Sequence, residues 1–237
     1  MGRLGIISGT LALQEKGIFG ELREEFVENA YGTALVLHSP HAVVVPRHGK
    51  DPHRYILPHR INHPANLTAL KALGVDEVIG INSTGSLKHN LPPGSIVIPD
   101  DFIMLFGGPT IFDSKPVHIT PVVHDGVRQK FINAARNSGI DVVDRGVYWQ
   151  TQGPRFETRA EINLMSQFAD VVGMTMASEA VIAQELALAY ASICSVDNFA
   201  HGIGVQELTM ENILRHARRN TEAIVKIILK YLEGTTT

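Results

Sequence analysis

Three short stretches of this chain carry residues suited to holding an anion. Ser8-Gly9-Thr10 follows the apolar run 4–7, Arg47-His48 follows the run 42–46, and Asn82-Ser83-Thr84-Gly85-Ser86 follows the run 77–81. Glycines let backbone N–H groups converge on an oxyanion, and small hydroxyls add fixed donors around it. A charged pair leaving a buried run is costly unless it meets an anion or a carboxylate. Arg47 and His48 therefore await either a phosphate or an acidic neighbour. The 82–86 stretch offers three hydroxyls where a helix cap would need one.

Rival chemistries lack their residues. The sequence holds no GxxxxGK[ST] and no GxGxxG after a strand, which argues against nucleoside triphosphates and dinucleotides. His59 and His63 have metal-helix spacing, but Arg60 stands where a zincin needs glutamate, and Pro58 and Pro64 disfavour a helix there. No metal is expected, and no Ser/His/Asp pattern points to acyl transfer. The single cysteine, Cys194, sits in the apolar run AYASICSV and reads as core. One cysteine allows no internal disulfide and suits a reducing, cytoplasmic setting.

Positioning such loops is the work of the intervening elements. Strand-like runs occur at 4–8, 33–38, 42–46, 77–82, 95–100, 145–150, 170–174 and 191–196. Helical patterns occur at 66–74, with Asn66 as N-cap and Gly74 as stop, at 177–189, and from near Thr209. In the last, Ile213, Leu214, Ala217, Ile224, Ile227, Ile228 and Tyr231 share one stripe. Alternation of this kind implies an α/β fold: a single domain over 1–237 with a mixed, mostly parallel central sheet flanked by helices. In such folds ligands gather at loops leaving the carboxyl ends of strands.

Composition narrows the partners. With 21 basic and 24 acidic residues the net charge is −3, which argues against nucleic acid. No run of 18 apolar residues exists to cross a membrane. A small-molecule substrate remains.

GIISGT, PRHGK, INSTGSL, PGSIVIPDDFI, QGPRFETRAE and GMTMASE, in this order, resemble the trimeric purine nucleoside phosphorylase and methylthioadenosine phosphorylase family, over roughly residues 5–210. The resemblance implies phosphorolysis: a purine nucleoside and inorganic phosphate give free base and a pentose 1-phosphate. Phosphate is then a substrate and no cofactor is needed. It assigns phosphate contacts to Thr10, Arg47, His48, Asn82, Ser83, Thr84 and Thr175, and to His53 with a one-residue shift. It sets Met174 against the ribose and Phe156 beside the substrate. His118 would be lent by a neighbouring subunit to the 5′ end of the sugar, in a homotrimer or a dimer of trimers.

Glu157 carries the base reading. Family members acting on 6-oxopurines have glutamate in GPxFET, where it accepts the purine N1–H; those acting on 6-aminopurines have serine. Adenine N1 bears no hydrogen, so a carboxylate facing it would stand unsatisfied. In SVDNFAHG the sequence departs from both family patterns. Gap-free alignment puts Asp197 on the base-reading position as proton donor at N7, whereas chemistry beside Glu157 favours Asn198 donating to N7. At the sugar end, Met210 replaces a histidine that would meet a 5′-hydroxyl, and a thioether suits a methylthio group. The expected substrates are inosine, guanosine or 5′-methylthioinosine. The alternatives are a methylthioadenosine phosphorylase releasing adenine, a hydrolase, and a non-catalytic purine-binding module.

Overall fold

The computed structural model describes residues 3–9, 22–204 and 209–235. Its centre is a ten-stranded mixed sheet with the path β2-β3-β4-β1-β5-β9-β8-β7, where β3 is Gly32–His38 and β9 is Val171–Gly173; β10 joins β5, and β6 joins β10. The innermost strands are β1 (Arg3–Ser8), β4 (Ala42–Pro46) and β5 (Val75–Ser86); β4, the centre of β1 and the 78–81 stretch of β5 are apolar because helices cover both faces. β4 and β5 flank β1 in parallel, and β10 (Ala189–Phe199) runs parallel to β5 along its length. Antiparallel pairs lie at β2–β3, β3–β4, β5–β9 and β6–β10.

Parity along β10 shows which helices cover which face. Tyr190 and Ser192 bond Glu179 and Asn82, on the side of α4 (Met176–Glu185), while Ser195 bonds Asn220 of α5 (Met210–Thr235). Successive side chains alternate in a strand, so α4 and α5 lie on opposite faces. α1 (His63–Ala72) packs with α4, and α2 (Asp125–Asn137) packs with α5. No helix among the described residues is long and apolar enough to cross a membrane.

Some elements differ from the sequence reading. α1 begins at His63 rather than after Asn66: Asn62 caps it by accepting from the Ala65 N–H at 3.0 Å. Pro64 is accommodated because the first turn leaves its N–H unused anyway. Gly74 follows the helix at φ +75°, the left-handed stop. The 95–100 run yields only the two-residue strand β6 (Ile96–Val97), followed by β7 (Asp101–Ile103). Unforeseen was β2 (Arg23–Asn29), an edge strand whose charges, Arg23, Glu24, Glu25 and Glu28, discourage pairing with another chain. Also unforeseen were α2 and α3 (Arg159–Met165); α3 opens on a capping box between Thr158 and Glu161.

Candidate active site

Arg47, at the carboxyl end of β4, is 3% exposed; both terminal nitrogens of its guanidinium donate to protein groups, and Nε sits in an ion-pair contact. Nη1 donates to the Ile81 carbonyl at 2.6 Å and Nη2 to the Ile7 carbonyl at 2.8 Å. Nε stands 2.7 Å from Glu179 Oε1 and Nη2 donates to Oε2 at 3.3 Å. The acidic neighbour allowed for by the sequence is thus Glu179, which is wholly buried. Tyr190 donates to the same carboxylate at 2.7 Å. Burial pushes the Glu179 carboxyl upward, and Arg47, Tyr190 and Asn82 oppose that shift. Gly80 makes this cluster possible: a Cβ there would strike the Tyr190 hydroxyl and come within 2.7 Å of Glu179 Oε2.

Two candidate residues join this cluster directly. Asn82 accepts from Ser192 Oγ at 2.7 Å and donates to Thr175 Oγ1 at 2.8 Å. Thr175 stands immediately before α4, whose first N–H groups are met by partners from β8 (Val147–Gln150). The Tyr148 hydroxyl accepts from Thr175 N at 3.2 Å, and Gln150 clamps Ser178 from both ends of its amide. Arg47, Asn82 and Thr175 therefore share one buried network held by Glu179.

His48 corrects the expectation of a charged pair. Its Nδ1–H donates to the Ile56 carbonyl at 2.7 Å, and its ring stacks on Tyr55 with centroids 4.4 Å apart. Burial and the neighbouring Arg47 charge push it down to about 4, so it is neutral at pH 7. With Nδ1 donating, Nε2 offers a lone pair, not a second donor. His53 lies exposed in the short 3₁₀ turn Pro52–Arg54, its backbone N–H bonded to Asp51. Thr10 lies outside the described residues.

The stretch expected to be a loop at 82–84 is instead the end of strand β5, paired with β10. The reason is the bonding available: the parallel partner supplies ladder contacts as far as Ser86, so the polar residues remain in the strand. They cannot all face one way. Asn82 faces Thr175, and the Thr84 hydroxyl donates to the Ser195 carbonyl at 2.8 Å. Ser83 is exposed on the other face, close to Asp197.

Asp197 and Asn198 meet at a β-bulge. Val196 pairs with Thr84 and Asn198 with Gly85, leaving Asp197 as the extra residue. Adjacent strand residues normally point to opposite faces. Here Asp197 bonds Ser195, and a Cβ on Gly85 would lie 3.0 Å from Asn198 Nδ2, so the bulge turns both side chains to the face shared by Ser83, Gly85 and Ser195. Asp197 is fully buried; burial raises its carboxyl to about 7 against the opposing hydroxyls of Ser195 and Ser83. Asn198 donates one N–H to the Phe199 carbonyl at 2.8 Å.

Glu157 is 9% exposed, and its Oε1 accepts from Thr151 Oγ1 at 2.7 Å. Thr151 N–H in turn donates to the Gly173 carbonyl at 2.8 Å, just before Met174. Met174 packs on the Gly153 backbone, so the loop carrying Glu157 and the segment carrying Met174 and Thr175 touch. Phe156 is 46% exposed beside Glu157. Arg155 binds Glu161 through two bonds of 2.8 and 2.7 Å, which ties the loop to α3. His118 is exposed in the irregular segment between β7 and α2, and Met210 opens α5, its side chain outside the described set. The structure does not bring His118 or His53 into contact with the buried clusters.

Sequence reasoning missed Glu179, Tyr190, Gln150, Thr151 and Ser195 as site-forming residues. Glu179 stood within GMTMASE, and an unpaired glutamate amid small apolar residues was signal enough.

The fold and this geometry can be set beside known proteins. The model of the family described as "Phosphorylase superfamily" matches residues 3–233. The chain belongs to the phosphorylase superfamily. A protein of Archaeoglobus fulgidus described as "Probable 6-oxopurine nucleoside phosphorylase" is 43% identical over 230 residues, covering 95% of this chain and 93% of that one. A "Probable S-methyl-5'-thioinosine phosphorylase" of Methanocaldococcus jannaschii is 36% identical over 241 residues, covering 97% and 91%. Among solved structures, methylthioadenosine phosphorylase from Schistosoma mansoni in complex with adenine superimposes with a TM-score of 0.87 at 27% identity, covering 100% of this chain and 92% of that one.

Proposed function

We propose that this superfamily member is a pentosyltransferase that cleaves 6-oxopurine nucleosides with inorganic phosphate. The observation that carries this reading is Glu157: a buried carboxylate fixed by Thr151 through one oxygen, with Oε2 accepting no hydrogen bond among the described residues. Such an oxygen complements a purine N1–H and is left unsatisfied by adenine. The names of the archaeal relatives point the same way. The adenine-releasing alternative suggested by the Schistosoma neighbour meets Glu157 as an obstacle.

The rest of the base follows from the bulge. With Asp197 and Asn198 turned to one face, they need not be rivals: Asn198 can give its second amide hydrogen to O6 while Asp197, as a neutral acid, protonates N7 as the bond to the sugar breaks. Phosphate, held by Thr10, Arg47, His48, Asn82, Ser83, Thr84 and Thr175, attacks the anomeric carbon. The C–N bond breaks with its electrons leaving on the base, and the new C–O bond gives the pentose 1-phosphate. Fixed donors serve a developing charge without reorganising. His48, neutral with an outward lone pair, accepts from a phosphate hydroxyl and so selects a protonated oxygen. Met174 lies against the sugar, and Met210 favours a 5′-methylthio substituent.

Assembly belongs to the same reading. Leu105, Phe106, Val117 and Val122 are 65%, 74%, 42% and 50% exposed on the segment that carries His118. A partner subunit covering them would place His118 at its neighbour's sugar, in a homotrimer or a dimer of trimers; light scattering on purified protein checks this.

The reaction is tested by incubating the protein with inosine in the presence and absence of phosphate and separating the products. Hypoxanthine with ribose 1-phosphate, formed only with phosphate, is expected. Hypoxanthine with free ribose, formed without phosphate, would make it a hydrolase; binding without turnover would make it a purine-binding module.

A further inference from the structure

Behind Asp197 runs a hydrogen-bond chain whose direction is fixed by chemistry. Asn220, on α5 and 3% exposed, places Nδ2 2.8 Å from Ser195 Oγ. The same nitrogen lies 3.3 Å from the Ser95 carbonyl and 3.4 Å from the Val196 carbonyl. Carbonyl oxygens only accept, so the amide cannot be turned end for end, and Asn220 donates to Ser195. Having accepted, Ser195 Oγ has its own single hydrogen to give, and it gives it to Asp197 Oδ1. That oxygen is therefore occupied by a donor. Asp197 Oδ2, equally buried, has no partner among the described residues.

We infer that Asn220 and Ser195 are positioning residues that force the proton of the neutral Asp197 acid onto Oδ2, the oxygen left for the purine. A proton on Oδ1 would face the Ser195 hydrogen, whose direction Asn220 fixes; on Oδ2 it meets no buried donor, and the exposed Ser83 hydroxyl beside Asp197 can turn its oxygen toward it. The relay does three things at once. It orients the carboxyl, it selects which oxygen carries the proton, and it leaves Oδ1 as a stabilised acceptor once the proton has moved to N7. This rests on the phosphorolysis reading above, and it adds the residues that make Asp197 a directed acid. Ser195 is buried behind Asp197, and α5 packs on the same face of β10, so both act through the carboxyl and not on the substrate.

The test compares two nucleosides. Inosine needs a proton at N7 for its base to leave neutral; 7-methylinosine already carries a methyl group and a positive charge there, so its base leaves without one. Ser195→Ala, Ser195→Thr and Asn220→Leu are assayed for kcat/KM with both substrates and saturating phosphate, after their melting temperatures are recorded. For Ser195→Ala the inosine value is expected to fall about 30- to 300-fold, within the range general acids contribute. The 7-methylinosine value should fall less than about 3-fold, since no proton transfer remains to be lost. Ser195→Thr, which keeps the hydroxyl, should restore the wild-type ratio, and Asn220→Leu should resemble Ser195→Ala more weakly. If Asn220→Leu fails to fold, Ser195→Ala, which removes one buried oxygen, decides the matter. Equal losses for the two substrates would show a merely structural role and overturn the relay alone. Wild-type protein that cleaves neither nucleoside would overturn the phosphorolysis reading, and the relay with it.

Discussion

Arg47 and Glu179, 132 residues apart in the chain, lock together with Arg47 Nε 2.7 Å from Glu179 Oε1, and neither is more than 3% exposed. The pair ties the end of β4 to α4 at the point where Asn82 and Thr175 also meet. It holds a guanidinium at the strand ends without leaving a bare charge in the core.

Removing the carboxylate should therefore be expensive. Glu179→Gln keeps the volume but strands the Arg47 charge, and breaking a buried pair costs about 3–5 kcal/mol. Urea denaturation at pH 7 should show a loss of that order; a loss under about 1 kcal/mol would mean that Arg47 is satisfied without Glu179.

Gly80→Ala tests the same cluster from the backbone. The added methyl would collide with the Tyr190 hydroxyl, and overpacking of this kind costs about 1–3 kcal/mol. Tyr190→Phe removes the struck oxygen, so the double variant should melt above the level expected from adding the two single losses. Strict additivity would show that the clash relaxes elsewhere.

Acid should weaken the fold through its buried histidines. His63 is pushed down to about 3 by burial, then by Arg47 and His48, and His48 to about 4. The unfolded chain takes up protons near pH 6.5 that the folded chain refuses, so stability is full above that pH and falls as the pH drops toward 4 and 3. At pH 4.5 the part due to His63 is roughly 3 kcal/mol. Urea midpoints at pH 7 and 4.5 should fall less steeply in His63→Leu than in the wild type; parallel slopes would contradict the assignment.

Glu157→Ala removes the group expected to read N1–H. A hydrogen bond to a charged partner is worth about 1.5–3 kcal/mol, so kcat/KM for inosine should fall about 10- to 100-fold. Turnover of 5′-methylthioadenosine should improve little, because nothing new binds the adenine amino group. A gain on adenine substrates equal to the loss on inosine would show that residue 157 is the sole selector.

How much of this was legible beforehand follows from the range of the interactions involved. Apolar runs such as 42–46 announced buried strands because burial on both faces demands them, and GMTMASE and QGPRFETRAE marked the loops. The charged strand β2 was hidden because REEFVEN gains its structure from pairing with β3, not from its own composition. α2 and α3 carried readable signals, the 127/131/134/135 stripe and the Thr158–Glu161 box, that went unused. The choice between Asp197 and Asn198 could not be read from spacing, since where their side chains point depends on a one-residue bulge set by the register against β5. The state of His48 was equally hidden, because it depends on the Ile56 carbonyl and the Tyr55 ring folding over it.

The most direct test of the central claim is base release from inosine, guanosine, 5′-methylthioinosine and 5′-methylthioadenosine, each with and without phosphate. The account predicts phosphate-dependent release of hypoxanthine and guanine, with 5′-methylthioinosine favoured over inosine if Met210 reads the sugar. Release of adenine from 5′-methylthioadenosine at the faster rate, or of any base without phosphate, would contradict it.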